Sequence, residues 1–203
     1  VGLVAAAMGV DKHADDENEH LRPLAELGLT VVRLPKPYPN ADISRLSDYH
    51  TVGGGYDKNR SLREKMSIPR KASGAPFGTV ITHRGYLTDA AFAAILEGDA
   101  ELLERVRAAL LDPVWGVWFG RKTCLPATPL TPTLGDDRQA ALDGLLAALP
   151  HREPSALETF EYQEEAEDGV FYQSDQPVAY GNHHAAVPAP YRARGLRQHR
   201  PNS

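Results

Sequence analysis

The glycine-rich and basic stretch from residue 53 to residue 78 limits what this chain can fold into. It contains only three large aliphatic side chains, so it cannot bury enough apolar surface to form a core by itself. The flanking segments, 48–52 (DYHTV) and 79–87 (TVITHRGYL), are rich in β-branched and aromatic residues, which favour strands. We therefore expect two paired strands that carry a long projecting loop, and a core built from the rest of the chain.

Sequence patterns typical of core-forming helices and strands lie on both sides of the stretch 53–78. Residues 29–34 (LTVVRL) predict a strand because they are β-branched and are followed by a proline. Residues 99–113 predict an amphipathic helix, with Asp99 as the N-cap, an apolar stripe at helical spacing and Pro113 at the end. Residues 136–150 predict a second amphipathic helix. Together these elements predict a domain that contains both helices and strands.

The other segments give weaker signals. Residues 89–98 (DAAFAAILEG) favour a helix by their alanines, although their position also permits a strand. The remaining predictions are the end of a helix at 1–9, a short helix or ordered loop at 20–29, a short strand at 114–119, an acidic loop at 158–168, a strand at 169–173 and a Pro- and Arg-rich tail. With one more strand ahead of residue 1, this order would approach the ferredoxin-like βαββαβ pattern, which is also the fold of RNA-recognition motifs.

Charge is unevenly distributed along the chain. The formal net charge is −5, which by itself argues weakly against a nucleic-acid partner. However, residues 58–71 hold six Lys or Arg against one Glu, and residues 192–200 add four arginines. The acidic residues concentrate at 15–19 and 158–168. A local cationic surface suited to phosphates is therefore compatible with the acidic average.

The cellular setting is indicated by cysteine usage and hydropathy. A single cysteine, Cys124, excludes an internal disulfide and fits a reducing, cytoplasmic compartment. No apolar run reaches the roughly 20 residues that a membrane helix requires, so no membrane association is expected. The opening residues 1–10 lack the basic flank of a secretory signal.

Candidate catalytic and metal-binding residues are scattered. Residues 12–20 (KHADDENEH) could bind a divalent metal, but a solvated acidic loop explains them more simply. Cys124 has no local Cys-His signature and is interpreted as a small core residue. The glycines at 53–55 do not form a phosphate-binding P-loop. We therefore predict no metal and no cofactor.

Cations and aromatic side chains that lie close in sequence favour RNA binding. Tyr49, Tyr56 and Tyr86 lie in or near the basic stretch, where they could stack on bases. His50 beside Tyr49 could instead act with it as base and acid on a ribose 2′-hydroxyl, which would make the chain an endoribonuclease. Binding without cleavage is the simpler interpretation.

Three motifs give the chain a resemblance to a known family. They are SDYHTVGG at 47–54, RGYLTDAAF at 84–92 and WFGRKTCLPATPL at 118–130. In order and spacing they are similar to the R-D-(Y/F)-H-T, R-x-Y-L-x-D-A-x-F and (Y/F)-L-G-R-(R/K)-x-C-P segments of the CasD family, the fifth-type Cas proteins of type I-E CRISPR Cascade complexes. Ser47 replaces the usual arginine, and Leu125 delays the proline by one place. The resemblance covers roughly residues 1–130.

The resemblance implies a fold. It implies an α+β, ferredoxin-like core of the RAMP type within residues 1–150, with a protruding basic thumb hairpin at about 48–87. Residues 151–203 then form a divergent, partly irregular extension. The resemblance also implies that residues 89–98 form a strand and that an N-terminal strand of the family precedes residue 1.

The resemblance also implies a function. Members of the family cap the 5′ handle of the crRNA and contact a CasC-type backbone subunit and a CasA-type large subunit, so they meet target DNA only through the complex. Because type I-E systems leave crRNA processing to a separate endonuclease, the chain is expected to bind RNA without catalysis. Two alternatives stay open: a metal-independent endoribonuclease that uses Tyr49, His50 and Lys58 or Lys65, and an α/β interaction module whose basic arm binds an acidic protein.

The residues predicted to contact RNA belong to the three motifs and the basic stretch. They are Tyr49, His50, Thr51, Lys58, Arg60, Arg63, Arg70, Lys71, Arg84, Tyr86, Trp118, Gly120, Arg121 and Lys122. Within this set Gly120 would allow close approach of the backbone to RNA, while Arg121 and Lys122 would meet phosphates. Cys124 would point inward and pack against the core.

Overall fold

The computed structural model describes residues 1–35, 44–52, 80–150, 152–177 and 191–201. Its helices are α1 (Gly2–Ala7), α2 (Glu17–Glu26), α3 (Ala100–Leu111) and α4 (Arg138–Ala148), with a 3₁₀ turn at Leu157–Thr159. Its strands are β1 (Gly28–Leu34), β2 (Ser44–Val52), β3 (Val80–Thr88), β4 (Ala91–Glu97), β5 (Glu161–Glu165), β6 (Phe171–Pro177) and β7 (Tyr191–His199). The chain divides into two units, Val1–Pro35 with Ala91–Ser203, and Lys36–Ala90. None of the described helices is long and apolar enough to cross a membrane.

The larger unit is built on a five-stranded antiparallel sheet with the strand order β4-β1-β5-β7-β6. β1 pairs with β4, so that Gly28 lies opposite Glu97 and Leu34 lies opposite Ala91. On its other side β1 pairs with β5, so both of its edges are hydrogen-bonded. The α+β class is confirmed, and the strand predicted at 29–34 is an interior strand of the sheet.

One face of this sheet packs against α4 and the 3₁₀ turn. The buried residues of this cluster are Val32, Leu34, Ala93, Ile95, Leu142, Leu146, Leu157 and Phe160. Alternate residues of β1 and β4 reach the cluster because successive side chains of a strand point to opposite faces. Each large aliphatic side chain buried in this way contributes about 1.5–3 kcal/mol to the stability of the unit.

A second apolar cluster joins α1, α2 and α3. Its buried members are Ala5, Leu21, Leu24, Leu27 and Val106. The apolar stripe predicted for 99–113 packs against it, and Asp99 Oδ1 accepts a hydrogen bond from the Leu102 amide at 2.9 Å. The predicted N-cap of this helix is therefore confirmed. Gly9 has φ +75°, the left-handed conformation that ends α1 at the predicted place.

Residues 91–97 form strand β4 although their alanines favour a helix. Every residue of β4 has a partner in β1, and Ala93 and Ile95 are buried in the sheet core. The pairing and the burial outweigh the local helix preference, which is small for each residue. The strand implied by the family resemblance is confirmed, and the helix that the alanines favour is wrong.

The strand predicted at 114–119 is wrong. The backbone amides of Val114 and Trp115 donate to the carbonyl oxygens of Ala7 and Ala6, at 2.9 and 3.3 Å. A helix leaves its last carbonyl groups without intrahelical donors, and these two amides satisfy two of them at the end of α1. The segment therefore caps a helix and does not join the sheet.

The acidic loop predicted at 158–168 is also wrong, because much of it forms β5, and the arginine-rich tail forms β7. The two strands pair, with Glu164 opposite Arg197. Opposite charges directly across two strands stabilise a sheet. With β6, which contains most of the strand predicted at 169–173, they give the sheet three of its five strands. β5 pairs with β1 as well as with β7, so this region extends the sheet that begins before residue 150.

Candidate nucleic-acid interface

Strands β2 and β3 form a two-stranded antiparallel hairpin. Its register runs from Ser44 opposite Thr88 to Val52 opposite Val80. Because side chains alternate along a strand, the register assigns each pair to one of two faces. The first, which we call the Tyr49 face, carries Arg45, Ser47, Tyr49, Thr51, Ile81, His83, Gly85 and Leu87. The second, the Arg84 face, carries Leu46, Asp48, His50, Thr82, Arg84 and Tyr86.

The predicted RNA-binding residues of the hairpin are divided between these two faces. Tyr49 and Thr51 lie on the Tyr49 face, whereas His50, Arg84 and Tyr86 lie on the Arg84 face. Because Tyr49 and His50 are neighbours in one strand, their side chains point away from each other and are poorly placed to act together on one ribose hydroxyl. This geometry argues against the endoribonuclease that the sequence left open.

The Tyr49 face is exposed at each of its eight described positions. The Tyr49 side chain is 61% exposed, and its ring centroid lies 5.2 Å from that of His83, with an interplanar angle of 67°. Aromatic rings prefer this edge-to-face arrangement, which covers at most one face of one of the two rings. Flat aromatic surface is therefore available on this side of the hairpin.

The Arg84 face combines a cation with a carboxylate. The register places Asp48 directly opposite Arg84. Asp48 and Tyr86 are half-buried, while Arg84 and His50 are exposed. The Thr82 hydroxyl donates to the carbonyl oxygen of His50 at 3.4 Å, which adds a cross-strand contact. The carboxylate lowers the positive potential around Arg84, so this face is less cationic than Arg84 alone would suggest.

The basic side chains of residues 58–71 lie outside the described residues. They are Lys58, Lys65, Arg60, Arg63, Arg70 and Lys71, and Tyr56 lies outside with them. Their contact with RNA stays a prediction from the sequence.

Residues 118–124 of the larger unit form a tight turn. The Phe119 amide donates to the Cys124 carbonyl at 2.8 Å, and the Cys124 amide donates to the Arg121 carbonyl at 2.9 Å. Gly120 has φ +76°, a left-handed conformation that costs an L-residue about 1–2 kcal/mol. A Cβ at Gly120 would meet no described atom within 4 Å, so the backbone conformation, not crowding, favours glycine there.

The turn holds a cation against an aromatic ring. Lys122 Nζ lies 5.7 Å from the centroid of the Trp118 ring, within the range of a cation–π contact. Lys122 is exposed, and Trp118 and Arg121 are half-buried. The sequence of the turn, WFGRKTC, contains no acidic residue. The three predicted residues Trp118, Gly120 and Lys122 are therefore brought together at one place on the larger unit.

Cys124 is half-buried and belongs to neither apolar cluster of the described residues. The expectation that it packs in the core is therefore wrong. Its backbone carbonyl and amide close the turn with Phe119 and Arg121, and its Sγ lies 3.9 Å from the Thr123 hydroxyl. The residue acts through its main chain, which a sequence pattern based on side chains does not detect.

Several exposed apolar side chains beside this turn were not predicted as functional. They are Val114, Trp115, Phe119 and Leu125. A strand at 114–119 would have buried alternate side chains, but the segment caps α1, and these side chains stay on the surface. The high density of aromatic residues around the glycine turn was the sequence feature that could have predicted this exposed apolar surface.

Glu164 is the centre of an ionic network on the large sheet. It accepts hydrogen bonds from Arg138 and from Arg197, and His199 Nε2 lies 2.8 Å from its Oε1. Arg138 Nε also donates to Glu97 Oε2 at 2.6 Å. Burial raises the pKa of Glu164, but hydrogen bonds from Arg138 and His199 outweigh burial and hold the pKa below its ordinary value. The network joins α4 to three strands, which indicates a structural role.

The described residues contain no group of three His, Cys, Asp or Glu side chains that could hold a metal ion. In the acidic segment 12–20, helix α2 begins at Glu17, and His20 Nε2 lies 3.2 Å from Asp16 Oδ2. The segment that was expected to be a solvated loop is therefore partly helical.

The structure defines the class of protein to which the chain belongs. It has an antiparallel α+β unit, a β-hairpin in a second unit and a glycine turn that carries cations. The fold is similar to that of a chain in a CRISPR RNA-guided surveillance complex of known structure. Residues 1–198 match the family described as CRISPR-associated protein (Cas_Cas5), and the chain belongs to this family. The family resemblance that the three motifs give is thereby confirmed.

Individual relatives agree with this assignment. The chain is 26% identical over 136 residues to the CRISPR system Cascade subunit CasD of Escherichia coli strain K12, a match that covers 64% of this chain and 54% of the relative. The chain thus spans about half the length of that curated relative. A chain of a CRISPR RNA-guided surveillance complex matches with a TM-score of 0.57 and 25% identity, over 97% of this chain and 74% of that one. A crystal structure of a Cas protein matches with a TM-score of 0.52 and 25% identity, over 97% and 75% of the two chains.

Proposed function

We propose that this chain is a non-catalytic RNA-binding subunit of a CRISPR Cascade complex, in which it holds the 5′ handle of the crRNA. Its family and its similarity to a Cascade subunit support assembly into such a complex. The observation that carries the RNA contact is the turn at 118–124, where Lys122 stands over Trp118 beside Arg121. A turn of this kind offers both charge and a flat apolar surface to a single strand.

Each part of the turn matches one part of an RNA strand. The Arg121 guanidinium can bind a phosphate with two parallel hydrogen bonds, while the Lys122 ammonium acts as a point charge. Gly120 has open space where a Cβ would stand, so a strand can approach the backbone closely. The exposed Phe119 ring offers a surface for base stacking.

The proposal includes protein neighbours. We infer contacts with a CasC-type backbone subunit and a CasA-type large subunit, and contact with target DNA only through the complex. The exposed apolar side chains Val114, Trp115 and Leu125, all within residues 114–125, support such neighbours. Clustered exposed apolar surface marks interaction sites more often than scattered single residues do.

RNA binding by the double variant Arg121→Ala, Lys122→Ala tests the proposal. Each phosphate contact that is lost flattens the dependence of log K on log salt by about 0.7 for a single strand, so two lost contacts give about 1.4. We expect weaker binding to an RNA that carries the repeat-derived 5′ sequence of its own CRISPR locus, with a correspondingly flatter slope. Fluorescence anisotropy over a salt series measures both quantities.

A matched control separates the site from overall charge. The double variant Arg22→Ala, Arg105→Ala removes two exposed arginines from α2 and α3 and changes the net charge by the same amount. It should bind the RNA nearly as the parent chain does. Equal affinity and slope in both double variants would count against the proposed function.

A further inference from the structure

We propose that the Tyr49 face of the hairpin holds one unpaired RNA base in a notch above Ser47 and Gly85. The inference rests on the proposed function, since it names the part of the RNA that this face takes. The cross-strand pairs that build the notch are Arg45–Leu87, Ser47–Gly85 and Tyr49–His83. The small central pair forms the floor, and the two larger pairs form the walls.

The floor of the notch exists because Gly85 has no side chain. Gly85 is not among the described residues with positive φ, so its backbone does not require glycine. A Cβ built at this position would meet no described atom within 4 Å. Glycine inside a strand weakens the strand, and it often marks a place where a ligand or another backbone approaches closely. The walls are four residues apart along each strand, about 13 Å, which leaves room for a flat ring between them.

One wall of the notch is aromatic. Tyr49 and His83 meet edge to face, with ring centroids 5.2 Å apart at 67°, so at least one ring face stays uncovered by its partner. Tyr49 is also one of the most exposed large side chains of the hairpin, at 61%. Stacking on an aromatic ring suits any base, because every base has a flat face. The wall therefore fits a base of any identity.

Charge favours this face over the other. The described residues of the Tyr49 face include the cation Arg45 and no carboxylate, whereas the Arg84 face has Asp48 opposite Arg84. Arg45 is exposed on the wall opposite the aromatic pair. A phosphate next to the stacked base would therefore meet a cation without a competing acid on the same face. Ring and cation together match one nucleotide of a single strand.

The variant Gly85→Val tests the notch because it fills the space without demanding a new backbone conformation. Valine favours strands, so the stability of the hairpin should be unchanged or higher. The affinity for a single-stranded RNA of about eight nucleotides should fall about fivefold to a hundredfold, as expected for the loss of one stacked base. Tyr49→Leu should lower the affinity by a similar factor. Leu46→Val alters an exposed side chain on the Arg84 face and should bind as the parent chain does.

RNAs that lack one base at a time separate stacking from phosphate contact. With the parent chain, one abasic position should weaken binding by about the same factor as Gly85→Val does. With Gly85→Val or Tyr49→Leu, the same abasic position should have no further effect, because base and notch are then one contact that is already lost. This scan also shows which nucleotide occupies the notch.

The outcomes distinguish the notch from the proposed function. Equal RNA affinity of Gly85→Val, Tyr49→Leu and the parent chain would overturn the notch, while a loss in Arg121→Ala, Lys122→Ala would leave the proposed function standing. No RNA binding by the parent chain at any salt concentration would overturn both. If Gly85→Val failed to fold by circular dichroism, the abasic scan on Tyr49→Leu would decide: a persisting abasic effect overturns the notch, and its disappearance supports it.

Discussion

Lys122 Nζ lies 5.7 Å from the centroid of the Trp118 ring, and both side chains belong to the turn in which Gly120 has φ +76°. The ring restricts where the ammonium can move, so the cation is partly ordered before any ligand arrives. Groups that are ordered in advance lose less entropy on binding. The backbone of the turn therefore affects the strength with which the turn could bind RNA, because it holds Trp118 and Lys122 in contact.

A double-mutant cycle measures the contact between Trp118 and Lys122. Trp118→Leu removes the ring and Lys122→Met removes the charge, and the coupling between them should be about 0.5–1 kcal/mol for an exposed cation–π pair. Urea denaturation of the four proteins gives the coupling. The same cycle with Lys12→Met, an exposed lysine elsewhere in the larger unit, should give none. A coupling within error of zero for Trp118 and Lys122 would show that the ring does not hold the cation.

Substitutions at Gly120 test the backbone requirement of the turn. Gly120→Ala should destabilise the turn by about 1–2 kcal/mol because alanine disfavours the left-handed conformation. Gly120→Asn should cost less, since asparagine tolerates that conformation better. RNA affinity should fall in the same order, measured by anisotropy beside urea denaturation. Identical effects of alanine and asparagine would mean that the conformation at this residue is not what matters.

The parts of the fold that follow from local patterns could be predicted from the sequence. The N-cap at Asp99 and the apolar stripe of α3, which packs in the second apolar cluster, each depend on residues within one helix. Their spacing in the sequence therefore predicts them. The acidic and basic runs could not be assigned in the same way. Glu164 and Arg197 are far apart in the chain. Their two charged segments form β5 and β7 because they pair with each other, and the local sequence does not show this pairing.

The candidate site could likewise be predicted only in part from the sequence. The motif around Gly120 predicted a turn that presents cations, because glycine and charge are visible in the sequence. The ring contact between Tyr49 and His83 could not be predicted, because it depends on the register of two strands that a long segment separates. Register is fixed by pairing over the whole hairpin, and a shift of one residue would place His83 on the other face.

RNA cleavage distinguishes the binder from the endoribonuclease. Incubation of the purified chain with pre-crRNA, without other subunits, should leave the RNA intact, because Tyr49 and His50 point to opposite faces. Denaturing gel electrophoresis with analysis of the 3′ ends gives the result. Specific cleavage that leaves a 2′,3′-cyclic phosphate would contradict the prediction. In that case His83→Ala and His50→Ala must be compared, since His83 shares a face with Tyr49.

The buried ion pair of Arg194 and Glu165 offers a test of the sheet. Arg194 is 9% exposed, its Nη2 donates to the Ala25 carbonyl at 3.2 Å, and burial lowers the pKa of its guanidinium. Arg194→Met leaves the Glu165 carboxylate without this partner and should destabilise the chain by about 3–5 kcal/mol. The double variant with Glu165→Leu should recover much of that loss, because no uncompensated charge is left. Urea denaturation compares them, and a double variant less stable than Arg194→Met would refute the expected compensation.

The Glu164 network predicts how stability depends on pH. Because Arg138 and His199 hold the pKa of Glu164 below its unfolded value of about 4.3, the folded state is favoured above that pH. The contribution is lost as pH falls from about 4.3 through the lower folded pKa, since the folded state must then take up a proton that the unfolded state already holds.

Glu164→Gln should therefore lower stability by about 1.5–3 kcal/mol at neutral pH, the range for a hydrogen bond to a charged group. It should also flatten the decline of stability with acid, which urea denaturation over a pH series measures. Glu167→Gln, at an exposed glutamate of the same acidic segment, is the control and should follow the parent curve. Parallel curves for Glu164→Gln and the parent would mean that the carboxylate has the same pKa in the folded and unfolded chain, so the hydrogen bonds from Arg138 and His199 would not stabilise its charged form.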